Sequence, residues 1–202
     1  MKCWKILIVG LLLWVMAGPA YAAGWFGKSN PAGTVAADIE NYIKGGIFYC
    51  TGEGDADSIN VFLEVQLSSA TVRCAIYERT SGAVWQLIDS SAERACAVGT
   101  GWFNFPLIER ASLMEGTQYA LVAWAGQSPN WNCRIRNLES QGEIADSMFF
   151  KSATYGAWPT PTTPTLVWYF DVVIVCYYSA ATAPARSPVS IDEVVYRGAY
   201  VK

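Results

Sequence analysis

The sequence predicts an all-β protein whose strands stack as an antiparallel β-sandwich of jelly-roll type, and three observations predict it. Apolar residues recur with a period of two over short runs, clusters of Gly, Asp, Ser and Pro separate those runs, and no 3.6-residue apolar period is sustained beyond the first two dozen positions. About eight strands at this spacing suit a sandwich or jelly roll, with a closed barrel as the structural alternative. The chain has 202 residues, 52% hydrophobic and 15% charged, enough apolar side chain for a full core. Intrinsic disorder is thereby excluded.

Taken in order, Tyr42 to Cys50 reads as the first strand. Ile59, Val61 and Leu63 alternate with Asn60, Phe62 and Glu64, and Val72, Cys74 and Ile76 alternate with Arg73, Ala75 and Tyr77, the pattern of half-buried strands. Ala83 to Ile88, Trp102 to Leu107, Gln118 to Ala125 and Cys133 to Leu138 follow. Turn residues punctuate them at Gly52 to Asp55, Ser81-Gly82, Gly99 to Gly101, Glu115-Gly116 and Gly126 to Pro129. Leu107 to Met114 is the one stretch with helical character. Leu166 to Tyr178 is β-branched, aromatic and strongly apolar, and is expected to form a single central strand. Asp171 within it needs a partner if buried: Arg134, Arg136 or a tyrosine hydroxyl, or else a ligand or metal. Trp85, Trp102, Trp124 and Trp168 lie in strand patterns and are expected in the core.

The ends read differently. Lys2 and Lys5, the apolar run Ile6 to Met16 and Ala20-Tyr21-Ala22 make residues 1–22 a secretory signal peptide with an A-x-A cleavage site. The run is well short of the ~20 residues of a spanning helix, so the mature chain is expected to be secreted and to have no membrane span. The sandwich is expected over residues 23–178. Residues 179–190, rich in Ala, Ser and Pro, read as a flexible linker. Ile191 to Lys202 reads as a tail strand, either an edge strand of its own domain or one donated to a neighbouring copy.

The chain has no histidine, which removes Ser-His-Asp and Cys-His catalysis and most zinc sites. A net charge of -3 argues against nucleic acid as a partner. Glu53, Asp55, Asp57, Glu139, Glu143 and Asp171 could in principle supply a glycosidase pair, but no spacing selects two of them, so the protein is expected not to be an enzyme. Glu53, Asp55 and Asp57 alternate among glycines and could hold a structural calcium ion, or could form a plain polar turn. No other cofactor is implied. Cys50, Cys74, Cys96, Cys133 and Cys176 remain after the leader, and in an oxidising compartment they predict two disulfides and one odd thiol, of undetermined pairing.

Aromatics in polar loops supply the candidate ligand site: Trp131 between Asn130 and Asn132, and Tyr155 with Trp158 ahead of a Pro/Thr stretch. Indole faces pack on sugar C–H faces while neighbouring amides and hydroxyls bind the sugar oxygens. The alternative is that each tryptophan plugs one end of the sandwich.

The strings IENYIKGGIFYCTGEGDADSINVFLEV, VRCAIYER, GWFNF, GTQYALVAWA and YGAWPTPTTPT, followed by the long aromatic strand, resemble a recurring secreted β-sandwich module of prokaryotic surface proteins. That module is similar in layout to jelly-roll carbohydrate-binding domains, and the resemblance covers about residues 24 to 178. It implies a fold, and transfers no catalytic residue. The combined expectation is a secreted, extracellular, non-catalytic protein that binds glycan or a surface protein. The alternative is a structural subunit of a filament or coat, self-assembled through Ile191 to Lys202.

Overall fold

In the computed structural model, residues 23–32, 35–126, 132–139, 147–168 and 170–180 are described. The expected leader, the tail strand and nearly all of the linker lie outside them. In chain order the strands are β1 (Gly24–Gly27), β2 (Val35–Asp38), β3 (Tyr42–Tyr49), β4 (Gly54–Val65), β5 (Ala70–Ser81), β6 (Val84–Ser90), β7 (Arg94–Cys96) and β8 (Gly99–Pro106). They continue with β9 (Ser112–Leu113), β10 (Gln118–Ala125), β11 (Cys133–Glu139), β12 (Ser147–Ser152), β13 (Thr165–Trp168), β14 (Phe170–Val172) and β15 (Ile174–Ser179). No helix is present among the described residues, so none there is long and apolar enough to cross a membrane. Leu107 to Met114, expected to have helical character, is instead a bridge, a bend and the short β9.

The strands form two antiparallel sheets. The eight-stranded sheet runs β1-β15-β4-β11-β14, with β8 and β9 also on β4 and β2 on β11. The seven-stranded sheet runs β13-β12-β3-β10-β5-β6, with β7 also on β5. One shared core joins them: Ile59, Val61 and Leu63 of β4 and Ile174 of β15 cluster with Val72 and Ile76 of β5 and with Leu121 of β10. Period-two alternation does this directly, because the inward residue at every second position meets its counterpart from the facing sheet. Each such large side chain contributes about 1.5–3 kcal/mol through burial.

A second, smaller cluster covers the other side of the seven-stranded sheet. Ile43, Tyr77, Trp85, Val122, Trp124 and Phe149 face away from the main core, and Ala153, Tyr155 and Trp158 fold over them. This strap is pinned along β6, where Trp85 and Thr162 exchange backbone hydrogen bonds of 2.9 Å and the Thr160 hydroxyl accepts from Gln86 Nε2 at 2.8 Å. Tyr77 donates its hydroxyl to the Pro159 carbonyl at 2.9 Å.

Two expectations are corrected here. The run Leu166 to Tyr178 is not one central strand: β13 pairs with β12 at the edge of one sheet, and β14 and β15 belong to the other. Composition marks such a run as buried β-structure but holds no sign of the sheet change. The five cysteines are free and buried, not paired. They act as small apolar core residues, all in the main cluster, and thiols of Cys50 and Cys176 face backbone carbonyls of Gly52 and Tyr177 at 3.1 and 3.6 Å. Burial pushes the Cys74 thiol well above its usual range, helped by nearby Cys96 and Cys133, and lifts Cys96 to about 11 against the pull of Arg94.

Such thiols lack the thiolate that reacts. A thiol reagent at neutral pH is expected to find none of the five in the folded chain from residue 23 onward, and all five after denaturation without reductant. Recovery of a single thiol after denaturation would mean that two bridges form.

Candidate functional site

The outer face of the eight-stranded sheet carries an exposed aromatic and amide platform. Its registers are Trp25 beside Tyr177 beside Ser58 beside Pro106, then Gly27, Val175, Asn60 and Asn104, then Phe62 beside Trp102. On β8 the alternation is decisive: Phe103 and Phe105 pack on the core, which turns Trp102 and Asn104 outward. Trp102 is 41% exposed, Tyr177 42% and Trp25 48%, unusual values for rings on a sheet face. The expectation that Trp102 belongs to the core is corrected, whereas Trp85 and Trp124 are buried as expected. The side chain of Trp168 lies outside the described ones.

Between the rings lies a shallow depression of about 350 Å³ lined by Ser29, Asn60, Trp102, Val175 and Tyr177. Phe62 props Trp102 edge-on, with centroids 5.4 Å apart and planes at 78°. Asn104 and Asn60 hydrogen-bond through their side-chain amides, which leaves one whole amide NH2 and one whole amide oxygen unengaged by the pair whichever way the amides are turned. Gly27, at φ 122°, lets β1 lie close to β15, since a Cβ there would run into the Ile174 carbonyl oxygen. Beyond the aromatic rows the face ends in charge: Arg136 pairs with Glu64, and Lys28 pairs with Asp171 at 2.7 Å. Lys28, not an arginine or a tyrosine, is therefore the partner of Asp171.

Of the loop residues expected to bind a ligand, Asn132, Tyr155 and Trp158 are among the described residues. Asn130 and Trp131 lie outside the described residues. Asn132 is fully buried: its Oδ1 accepts from the Leu67 and Ser68 amides at 2.6 and 3.1 Å, and its Nδ2 donates to the Ser68 carbonyl at 2.7 Å. Tyr155 and Trp158 are half-buried and turn their faces to the Arg73 guanidinium, each centroid 4.6 Å from it, with Trp124 at 4.7 Å. They belong to the strap over the outer side of the seven-stranded sheet.

The acids expected to hold calcium straddle the start of β4. Glu53 is exposed, while Asp55 and Asp57 stand on β4, whose extended backbone begins at Gly54 where a curled loop was expected. Asp55 accepts from the Ser112 hydroxyl at 3.1 Å, and Asp57 is paired with Arg110 and held by Ser179. Among the described residues no three His, Cys, Asp or Glu are grouped to hold a metal ion.

The platform could have been found in the sequence. In Gly-Trp-Phe-Asn-Phe-Pro, two phenylalanines two apart claim one face, so the tryptophan and asparagine must take the other. No protein-family model matches the chain, and no curated protein matches it. The class is thus set by fold and site alone: an all-β protein of two antiparallel sheets with an aromatic platform on one outer face.

Proposed function

We propose that this protein is a secreted, non-catalytic β-sandwich of jelly-roll type that binds an oligosaccharide on the outer face of its eight-stranded sheet. The observation that carries the reading is the exposure of Trp25, Trp102 and Tyr177 around the Asn60–Asn104 amide pair. Flat rings offer contact area to sugar C–H faces at little conformational cost, and the amides supply directional hydrogen bonds to hydroxyls. From Tyr177 to Trp102 the platform crosses two strand spacings and four residues, about 16 Å on the diagonal. That span suits an oligosaccharide and exceeds a single sugar. The jelly-roll reading rests on how the chain alternates between sheets, with β3, β5 to β7, β10, β12 and β13 in one and the remaining eight strands in the other.

The test is retention on a panel of insoluble polysaccharides and titration with soluble oligosaccharides. Trp102→Ala and Tyr177→Ala are each expected to weaken binding about tenfold, since a stacked ring contributes on the order of 1 kcal/mol, and together to abolish retention. Both side chains are outside the core, so the melting temperature should stay within a few degrees of the parent. A parent protein that binds nothing in the panel, or a double variant that binds as well as the parent, overturns the reading.

A further inference from the structure

Lys44 is in an unusual place for a charge. Its strand neighbour Ile43 packs in the outer cluster, so alternation turns Lys44 toward the space between the sheets, where Phe150, its partner in the register, packs on the main core. It is only 9% exposed and makes no ion pair among the described residues. Burying an ammonium this way is costly unless something compensates. Two rings do so in part: Lys44 Nζ lies 4.9 Å from the Tyr42 centroid and 5.5 Å from that of Phe150, and these rings stack at 5.2 Å.

The ammonium borders a cavity of about 490 Å³. Arg134, Asp38, Tyr42, Phe150 and two alanines of β2 complete its lining. The charged wall is thus two cations and one carboxylate, and that carboxylate is partly engaged, since Asp38 Oδ1 accepts the Glu40 amide at 3.0 Å. Glu40, two residues on, is buried and accepts from the backbone of Asn132 and Cys133 at 3.0 and 3.2 Å. Glu64, opposite Arg134 in the ladder, is taken up by Arg136, so the lining carries one more cation than carboxylate. Burial lowers the Lys44 pKa and Asp38 pulls it back up, in keeping with an ammonium short of partners.

We infer that this cavity is a second ligand site, which binds an oxyanion between Lys44 and Arg134. Lysine supplies a point charge with three donors, and arginine a planar fork that fits a carboxylate, sulfate or phosphate with two parallel hydrogen bonds. The oxyanion comes either as a free inorganic ion or as the acid group of an acidic sugar. The site is separate from the platform and does not depend on the oligosaccharide reading.

Thermal melting and calorimetric titration of the full chain with sodium sulfate and with sodium glucuronate, each against sodium chloride at equal ionic strength, test this. The parent is expected to show saturable stabilisation by at least one of the two. Sulfate alone marks a free-ion site, and glucuronate binding the tighter marks an acidic-sugar site. Lys44→Met and Arg134→Gln should each weaken binding about tenfold or more, while Trp102→Ala leaves it unchanged. Lys44→Met removes a buried charge and keeps the length of the side chain, so it should fold. Asp38→Asn should tighten binding severalfold by removing the competing carboxylate, an effect that a purely structural lysine would not produce. Stabilisation no greater than in chloride, or undiminished binding in both the Lys44 and Arg134 variants, overturns the proposal.

Discussion

Trp124→Ala is expected to cost about 4 kcal/mol of stability, the usual range for emptying a buried tryptophan site being 3–5 kcal/mol. That is a large share of the roughly 5–15 kcal/mol by which a folded domain is stable. Trp124 is 1% exposed and stands where the strap meets the sheet, its ring 5.2 Å from those of both Tyr155 and Trp158. Arg73 lies against all three rings, and its Nε and one terminal nitrogen are buried without a hydrogen-bond partner. Ring faces are therefore what compensates this guanidinium, and removing one leaves a cavity and a poorly solvated charge at the same point. Urea unfolding should show the loss as a lower midpoint at an unchanged slope. A loss under about 1 kcal/mol would mean that the strap is not held by this ring cluster.

The same strap shows where sequence reading stops. Period two located β4 and β5, where inward and outward residues differ in polarity, most clearly in Ile59 to Glu64. It did not locate β1, β2, β7 or β9, which are short, nor β12, whose Met148, Phe149 and Phe150 are apolar without alternation because the sheet is covered on both sides there. That double covering also explains Tyr155 and Trp158. An aromatic in a Gly/Pro/Thr loop has the same local sequence whether it waits for a sugar or caps an arginine, and only the position of Arg73 on β5 decides. For Trp102 the information was present, in the two phenylalanines that flank Asn104. For Lys44 it was half present: a lysine between Ile43 and Gly45 on an apolar strand is conspicuous, but the cavity beside it is formed by β2 and β11, which no local pattern brings there.

Asn132→Ala should lower stability by about 2 kcal/mol without touching ligand binding, a result that separates the structural role of this residue from the one its loop suggests. Its side chain closes the connection from β4 to β5 by accepting from two consecutive amides, Leu67 and Ser68, and donating back to Ser68. Its backbone adds a second layer, donating to Glu40 Oε1 at 3.0 Å and accepting from the Gln66 amide at 2.9 Å. Truncation leaves those amide donors and a carbonyl without partners, at about 1–3 kcal/mol for each group that stays buried. Leu67 and Ser68 are themselves exposed, so water reaches part of the gap and the sum stays near the lower end. Asn132→Asp makes the finer test. It keeps the two accepted bonds, but it loses the donor to Ser68 and sets a carboxylate on the residue whose amide is held by the buried Glu40 carboxylate. Repulsion between the two carboxylates then makes the Asp variant lose stability as pH rises through the carboxylate range, whereas the Ala variant shows no such added dependence. Melting curves at pH 4 and pH 7 read the difference. Parallel curves for the two variants would place the carboxylates too far apart to interact, and full stability of Asn132→Ala would remove Asn132 from the frame of the fold.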